Sequence, residues 1–267
     1  MKYETELITP EKASKLLANN TGNRQVSRRH VDFLKNQMIQ NKWEDCTGEM
    51  IKVAESGRLL DGQHRLEALV LSGTSQTMLV GYGFDEKIFN VIDTGKNRTA
   101  SDLISMNGYK NATSLHAIAR FVLIYNKDGL KSGRFDSIRI PNGEILNFIA
   151  DNNEINQILN FVKPIYSKIR SLSASNLGGL YMIISKKNQE KCDEFFNKFG
   201  SGLELHSNHP IYLLRERLIR DSGSNTKLNV RDKIAMFIKA WNAFLMGKTI
   251  TYASLAYHKD EKFPTIL

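Results

Sequence analysis

The most constraining stretch of this chain is Gly57-Arg58-Leu59-Leu60-Asp61-Gly62-Gln63-His64-Arg65-Leu66-Glu67-Ala68-Leu69. Leu59 and Leu60 read as a short strand, and Leu66, Leu69 and Val70 share one face of a helix over residues 62–71, closed by a left-handed cap at Gly73. Strand and helix are joined by almost nothing. Gly62 permits close backbone approach, and the successive N–H groups that open the helix point toward an anion, aided by the positive end of the helix dipole. That pattern predicts a phosphate cradle. Arg65 would add a bidentate phosphate contact, His64 would donate a hydrogen bond or move a proton, and Asp61 and Gln63 would meet a metal or a ribose hydroxyl. Taken singly, each residue also fits a plain capped helix with a solvated face. Their crowding into a turn that needs only one cap favours a site.

The flanking pattern predicts an α/β first part. Residues 9–20 read as a helix capped by Thr9 with Pro10 at its first position, and residues 27–42 as a second, with Ser27 as cap and Val31, Leu34, Met38 and Ile39 spaced for burial. Strand candidates follow at residues 50–53, 59–60 and 78–82. After Asp93 the strand signals fade, and helices are predicted over residues 99–106, 112–125, 143–150, 154–169, 177–185, 189–199, 210–219 and 230–246. The fold class expected is therefore a small mixed sheet with helices over residues 1–110, then a mainly α-helical domain over 111–267. Residues 127–142, with Gly129, Gly133 and Pro141, are the expected loop or hinge.

Composition narrows the function classes. No apolar run approaches the roughly 20 residues needed to cross a bilayer, and acidic residues stand where a signal peptide would turn apolar, so a cytoplasmic protein with no membrane partner is expected. Cys46 and Cys192 lie far apart without metal-ligand or disulfide spacing, and the histidines outside the turn show none either. Lys and Arg number 37 against 28 Asp and Glu, a formal charge of +9 that favours anionic partners, nucleotide or DNA. Glu49 and Asp45, just before a strand leading to the cradle, are candidates to bind magnesium or act as a base. A second basic turn, Asp93 to Thr99, brings Lys96 and Arg98 beside a helix that Thr99 or Ser101 can cap. Arg215, Arg217 and Arg220 read as a solvated helix face, and Trp241 and Phe244 as core.

Residues 23–73, with Asn23-Arg24, Lys42-Trp43, the strand at Met50-Ile51-Lys52-Val53 and Asp61-Gly62-Gln63-His64-Arg65, resemble the N-terminal domain of the ParB/sulfiredoxin superfamily. The form of the turn is more similar to that of the free-serine kinases than to typical ParB, and the whole chain resembles phage and bacterial proteins that join such a domain to a helical C-terminal region. The resemblance implies a nucleoside triphosphate, CTP or ATP, with Mg2+, held by Gly62, Gln63, His64 and Arg65, with Arg24 as a further contact and Lys96 and Arg98 near a second nucleotide-contacting motif. For an enzyme, the reaction class that the site best supports is NTP hydrolysis or phosphoryl transfer, with His64 or Glu49 handling the proton. The alternatives are a non-enzymatic DNA-binding protein that contacts backbone phosphates through its basic surface and, less favoured because no carboxylate cluster suits two metals, a nuclease.

Overall fold

The computed structural model describes residues 1–267 except Arg24, Cys46, residues 91–98, residues 131–137, Lys259 and the side chain of Asn90. Contacts divide the chain into two units, Met1–Lys96 and Asn97–Leu267. The first holds a four-stranded mixed sheet and three helices: β1 (Lys2–Ile8), α1 (Pro10–Ala18), α2 (Arg28–Ile39), β2 (Ile51–Ala54), β3 (Leu59–Asp61), α3 (Gln63–Ser72) and β4 (Gln76–Phe84), followed by a short 3-10 helix, Glu86–Asn90. The strand order is β1-β4-β2-β3, with β4 antiparallel to β1 and parallel to β2, and β2 antiparallel to β3.

Alternation along these strands sorts their side chains onto two faces. Ile51, Val53, Leu59, Met78 and Val80 join Val31, Leu34 and Met38 of α2 and Leu66 and Leu69 of α3 in one core. Ala54, Leu60 and Phe84 form a smaller cluster with Met50, Ile88 and Phe89. Phe84 changes face because the β2–β4 register skips a residue: Val53 pairs with Tyr82, but Ala54 pairs with Phe84.

β1 has no counterpart among the predicted strands. Only Ile8 of its residues is fully buried, and it carries Glu4 and Glu6 at half-buried positions, so its own pattern is that of a polar segment. It forms because β4 supplies the pairing partner and because Glu6 is anchored by Lys12 and by the Tyr82 hydroxyl, which donates at 3.3 Å.

The second unit is helical: α4 (Ala100–Met106), α5 (Ala112–Asp128), α6 (Asn142–Asp151), α7 (Ile155–Ile169), α8 (Ala174–Ser185), α9 (Gln189–Ser201), α10 (Pro210–Ser222), α11 (Val230–Leu245) and α12 (Tyr252–Leu255). Ala100 and Ile104 of α4 are buried in the helical core with α5 and α6. Of the expected hinge, residues 131–137 lie outside the described residues, and Leu130 and Ile140 on either side of them are buried in the same core. Trp241 is fully buried, with Phe195 at a ring-centroid distance of 5.6 Å. Arg215 is not a solvated cation: its guanidinium donates to Phe199 O at 2.6 Å, at the C-terminal end of α9.

α8 packs on α5, α7 and α9, and two adjacent glycines allow the approach to α5. A Cβ on Gly179 would lie 2.4 Å from Phe121 Cδ1, and one on Gly178 would lie 2.9 Å from Ile118 Cδ1. A buried ion pair ties the ends of α10 and α11: Lys233 Nζ lies 2.7 Å from Asp221 Oδ2, with side-chain exposures of 6% and 1%. Both oxygens of Asp221 have further partners, Ser171 Oγ at 2.8 Å and Leu228 N at 2.6 Å. Burial opposes ionisation of Asp221, but the Lys233, Leu228 and Ser171 hydrogen bonds outweigh it and hold its carboxyl below the ordinary value of 3.8.

Two outcomes follow from this packing. Gly179→Ala is expected to lower the unfolding free energy by about 1–3 kcal/mol, the usual cost of overpacking, despite the better helix propensity of Ala; urea denaturation measures it. For Asp221, the depressed folded pKa means that its contribution is present above pH 3.8 and is lost as pH falls through the lower folded value. Asp221→Asn should therefore be less stable at neutral pH by about 3–5 kcal/mol and should flatten the acid limb of the stability profile, measured by denaturant midpoints across pH.

Candidate functional site

The candidate site is the point at which β3 becomes α3. Gly62 stands between them with φ +105° and ψ 5°, and a Cβ there would fall 2.3 Å from Ile51 Cδ1. Both the backbone angle and the space exclude a side chain. The helix begins at once, with Leu66 N donating to Gly62 O at 3.0 Å, so the amides of Gln63, His64 and Arg65 stand in the first turn, before the first intrahelical donor.

The side chains of this turn face the protein more than the solvent. Gln63 is 5% exposed and His64 9%. Gln63 Oε1 accepts from Asn20 Nδ2 at 3.2 Å, and Asn23 Nδ2 donates both to Asn20 Oδ1 at 2.6 Å and to Leu59 O at 2.8 Å. His64 Nε2 accepts the backbone N–H of Ser27 at 3.0 Å, which requires that nitrogen to be unprotonated. The His64 ring lies 5.3 Å from that of His30 on α2. Ser27 occupies the N-cap position of α2, but its side chain makes no capping bond; its amide ties α2 to α3 instead.

Asp61 and Arg65 are engaged with each other and with β2. Asp61 pairs with Lys52 in the β2–β3 register, and Lys52 Nζ lies 2.8 Å from Asp61 Oδ2; Arg65 Nη2 is 3.7 Å from the same oxygen. The Arg65 guanidinium donates to Met50 O at 2.9 Å and to Glu49 O, and its side chain is 14% exposed. Arg65 therefore acts as a clamp that holds the start of β2 against the first turn of α3. The Glu49 side chain is exposed, and this residue meets the turn through its carbonyl rather than its carboxylate.

No protein-family model, curated protein or solved structure matches this chain. The site thus rests on its own geometry. Of the residues singled out in the sequence, the structure gathers Asp61, Gly62, Gln63, His64, Arg65 and the backbone of Glu49. Arg24, Lys96 and Arg98 lie outside the described residues. Thr99 caps α4 in a capping box with Asp102. Sequence reasoning missed Asn20, the Ser27 amide and His30, which surround the turn with Asn23. The signal for Asn20 was the polar run Asn19-Asn20-Thr21-Gly22-Asn23 just after the first helix.

Arg65→Ala is expected to lower stability by about 1.5–3 kcal/mol, because it removes charge-assisted hydrogen bonds to two carbonyls. Arg65→Lys should recover only part of this, since an ammonium cannot reach both acceptors with the geometry of a fork. Chemical denaturation followed by circular dichroism reads the effect, and a variant as stable as the parent would show that the clamp contributes nothing.

Proposed function

We propose that the N-terminal unit binds the phosphates of a nucleoside triphosphate, CTP or ATP, at the first turn of α3, as the resemblance to the ParB/sulfiredoxin domain implies. The observation that carries this reading is the left-handed Gly62, which brings the amides of Gln63, His64 and Arg65 together at the end of a strand, at the positive end of the helix dipole. Backbone donors would hold the phosphates. Arg65 would position them indirectly, by fixing the turn against Glu49 and Met50, rather than as a direct phosphate ligand.

Magnesium would arrive with the nucleotide. No three His, Cys, Asp or Glu side chains gather among the described residues, and Asp61 is held by Lys52 and Arg65, so phosphate and water oxygens would supply most ligands. Binding is favoured over turnover by His64. Its Nε2 accepts the Ser27 amide, so moving a proton through that atom would break the tie between α2 and α3. Glu49 is exposed and reaches the turn only through its carbonyl.

DNA backbone phosphates offer related chemistry, and the formal charge of +9 would favour them. Salt separates the two. Titration calorimetry with triphosphates, with and without magnesium, should show affinity that survives a rise from about 50 to about 200 mM salt far better than any affinity for duplex DNA. Gln63→Glu keeps an acceptor for Asn20 and places a carboxylate where the helix dipole tolerates it, but where it repels phosphate. Because Gln63 is 5% exposed, the added charge is costly, so folding is first checked by circular dichroism; the folded variant is expected to lose about tenfold or more in triphosphate affinity. Unchanged affinity in it, or DNA binding without nucleotide binding, would overturn the proposal.

A further inference from the structure

The sheet of the N-terminal unit has two edge strands, β1 and β3, and they differ in what covers them. β3 is covered by the segment after α1: Leu59 N donates to Asn19 O at 3.1 Å, and Asn23 Nδ2 donates to Leu59 O at 2.8 Å. The backbone of β1 bonds to β4 alone among the described residues. In an antiparallel pair, alternate residues turn their N–H and C=O groups away from the partner, so β1 presents a row of them along its seven residues. Such an edge is a template for another strand.

Proteins blunt open edges with proline, bulges, short strands or charge. β1 holds no proline, and its register with β4 is unbroken from Lys2 opposite Tyr82 to Ile8 opposite Gln76. Charge is the remaining device, and its placement decides what the edge can accept. Lys2, Glu4 and Glu6 lie on the face that Ile8 turns into the core. On the other face Tyr3 and Leu7 are 56% and 61% exposed, and the Tyr3 ring stands edge-on to Phe84 of the smaller cluster, with centroids 6.1 Å apart.

We infer that β1 is a self-association edge, at which a second copy of this chain pairs antiparallel and continues the sheet. Two-fold pairing is reciprocal, so each residue that faces a partner residue is faced by it in return. Centred on Tyr3, the pairing sets Lys2 of each strand opposite Glu4 of the other and brings the two Tyr3 rings side by side. Centred on Lys2, Glu4 or Glu6, it presses like charges together at the axis, and centred on Thr5 it faces Glu4 with Glu6 twice. Opposite charges directly across a strand pair attract and like charges repel, so the charge pattern selects the Tyr3-centred register over these. Lys2 Nζ already lies 2.5 Å from Glu4 Oε1 in one chain, with side-chain exposures of 71% and 39%, and in the pair each ammonium would stand between two carboxylates. The inference is independent of nucleotide binding.

The overlap covers only residues 1–5 of each copy, less than the roughly 800 Å² per partner of a stable dimer, so the association is weak. Sedimentation equilibrium of the full chain at low salt is expected to show a monomer–dimer equilibrium with a dissociation constant on the order of 100 μM. Lys2→Glu and Glu4→Lys should each weaken it about fivefold or more, because each sets like charges across the pair at both positions. An equimolar mixture of the two variants should recover the parent's affinity as a heterodimer, since one strand then carries two carboxylates and the other two ammoniums. Neither variant retains the Lys2–Glu4 pair within its own chain, so a purely intrachain role for that pair gives no recovery on mixing. Lys15→Glu, exposed on α1, makes the same change in net charge as Lys2→Glu and should leave the equilibrium unchanged. A monomer at every concentration up to about 1 mM, unaltered association in both edge variants, no gain on mixing, or an equal loss in Lys15→Glu would overturn the inference.

Discussion

The N-terminal unit depends on one contact that permits no side chain. At Gly62 the chain adopts φ +105° while Ile51 Cδ1 occupies the space in which a Cβ would sit. Because β3 turns into α3 with no intervening loop, Gln63 and His64 point inward and Arg65 reaches back over the start of β2. The polar contacts of Asn20, Asn23 and Ser27 are built on that turn. A longer connection would let α3 rotate about its axis and would separate these partners.

One carboxylate in each unit, Asp61 and Asp221, is neutralised locally rather than by solvent. Asp61 lies between Lys52 and Arg65, and Asp221 meets Lys233 with both of its oxygens further hydrogen-bonded. A buried ion is tolerated only with a partner and a full set of hydrogen bonds. This bears on recognition. Among the described residues, Lys52 and Arg65, which meet the turn, are already engaged by Asp61 and by backbone carbonyls.

Much of the architecture was legible in the sequence. The periodic spacing of Val31, Leu34 and Met38, or of Leu66 and Leu69, encodes helices whose apolar face must be covered, and Thr9, Pro10 and Thr99 mark helix starts by local hydrogen bonding and dihedral preference. Ser173 starts α8 through its own side chain, earlier than the apolar pattern at Leu177 suggests, because a cap acts before the buried face begins. Gly62 was legible as well, since few residues other than glycine accept its backbone angles.

Whatever required a distant partner was decided by tertiary structure alone. β1 has a polar pattern and exists because β4 offers an edge. Arg65 reads as a phosphate ligand from its position in the turn, yet the carbonyls of Glu49 and Met50, fifteen or more residues earlier, claim it. His64 reads as a proton carrier, yet the Ser27 amide, 37 residues away in sequence, determines which of its nitrogens accepts. Local dihedral and hydrophobic preferences are properties of short segments and can be read from them. The partner of a polar side chain is whichever complementary group the folded backbone brings within about 3 Å, and this follows only from the arrangement of the whole unit.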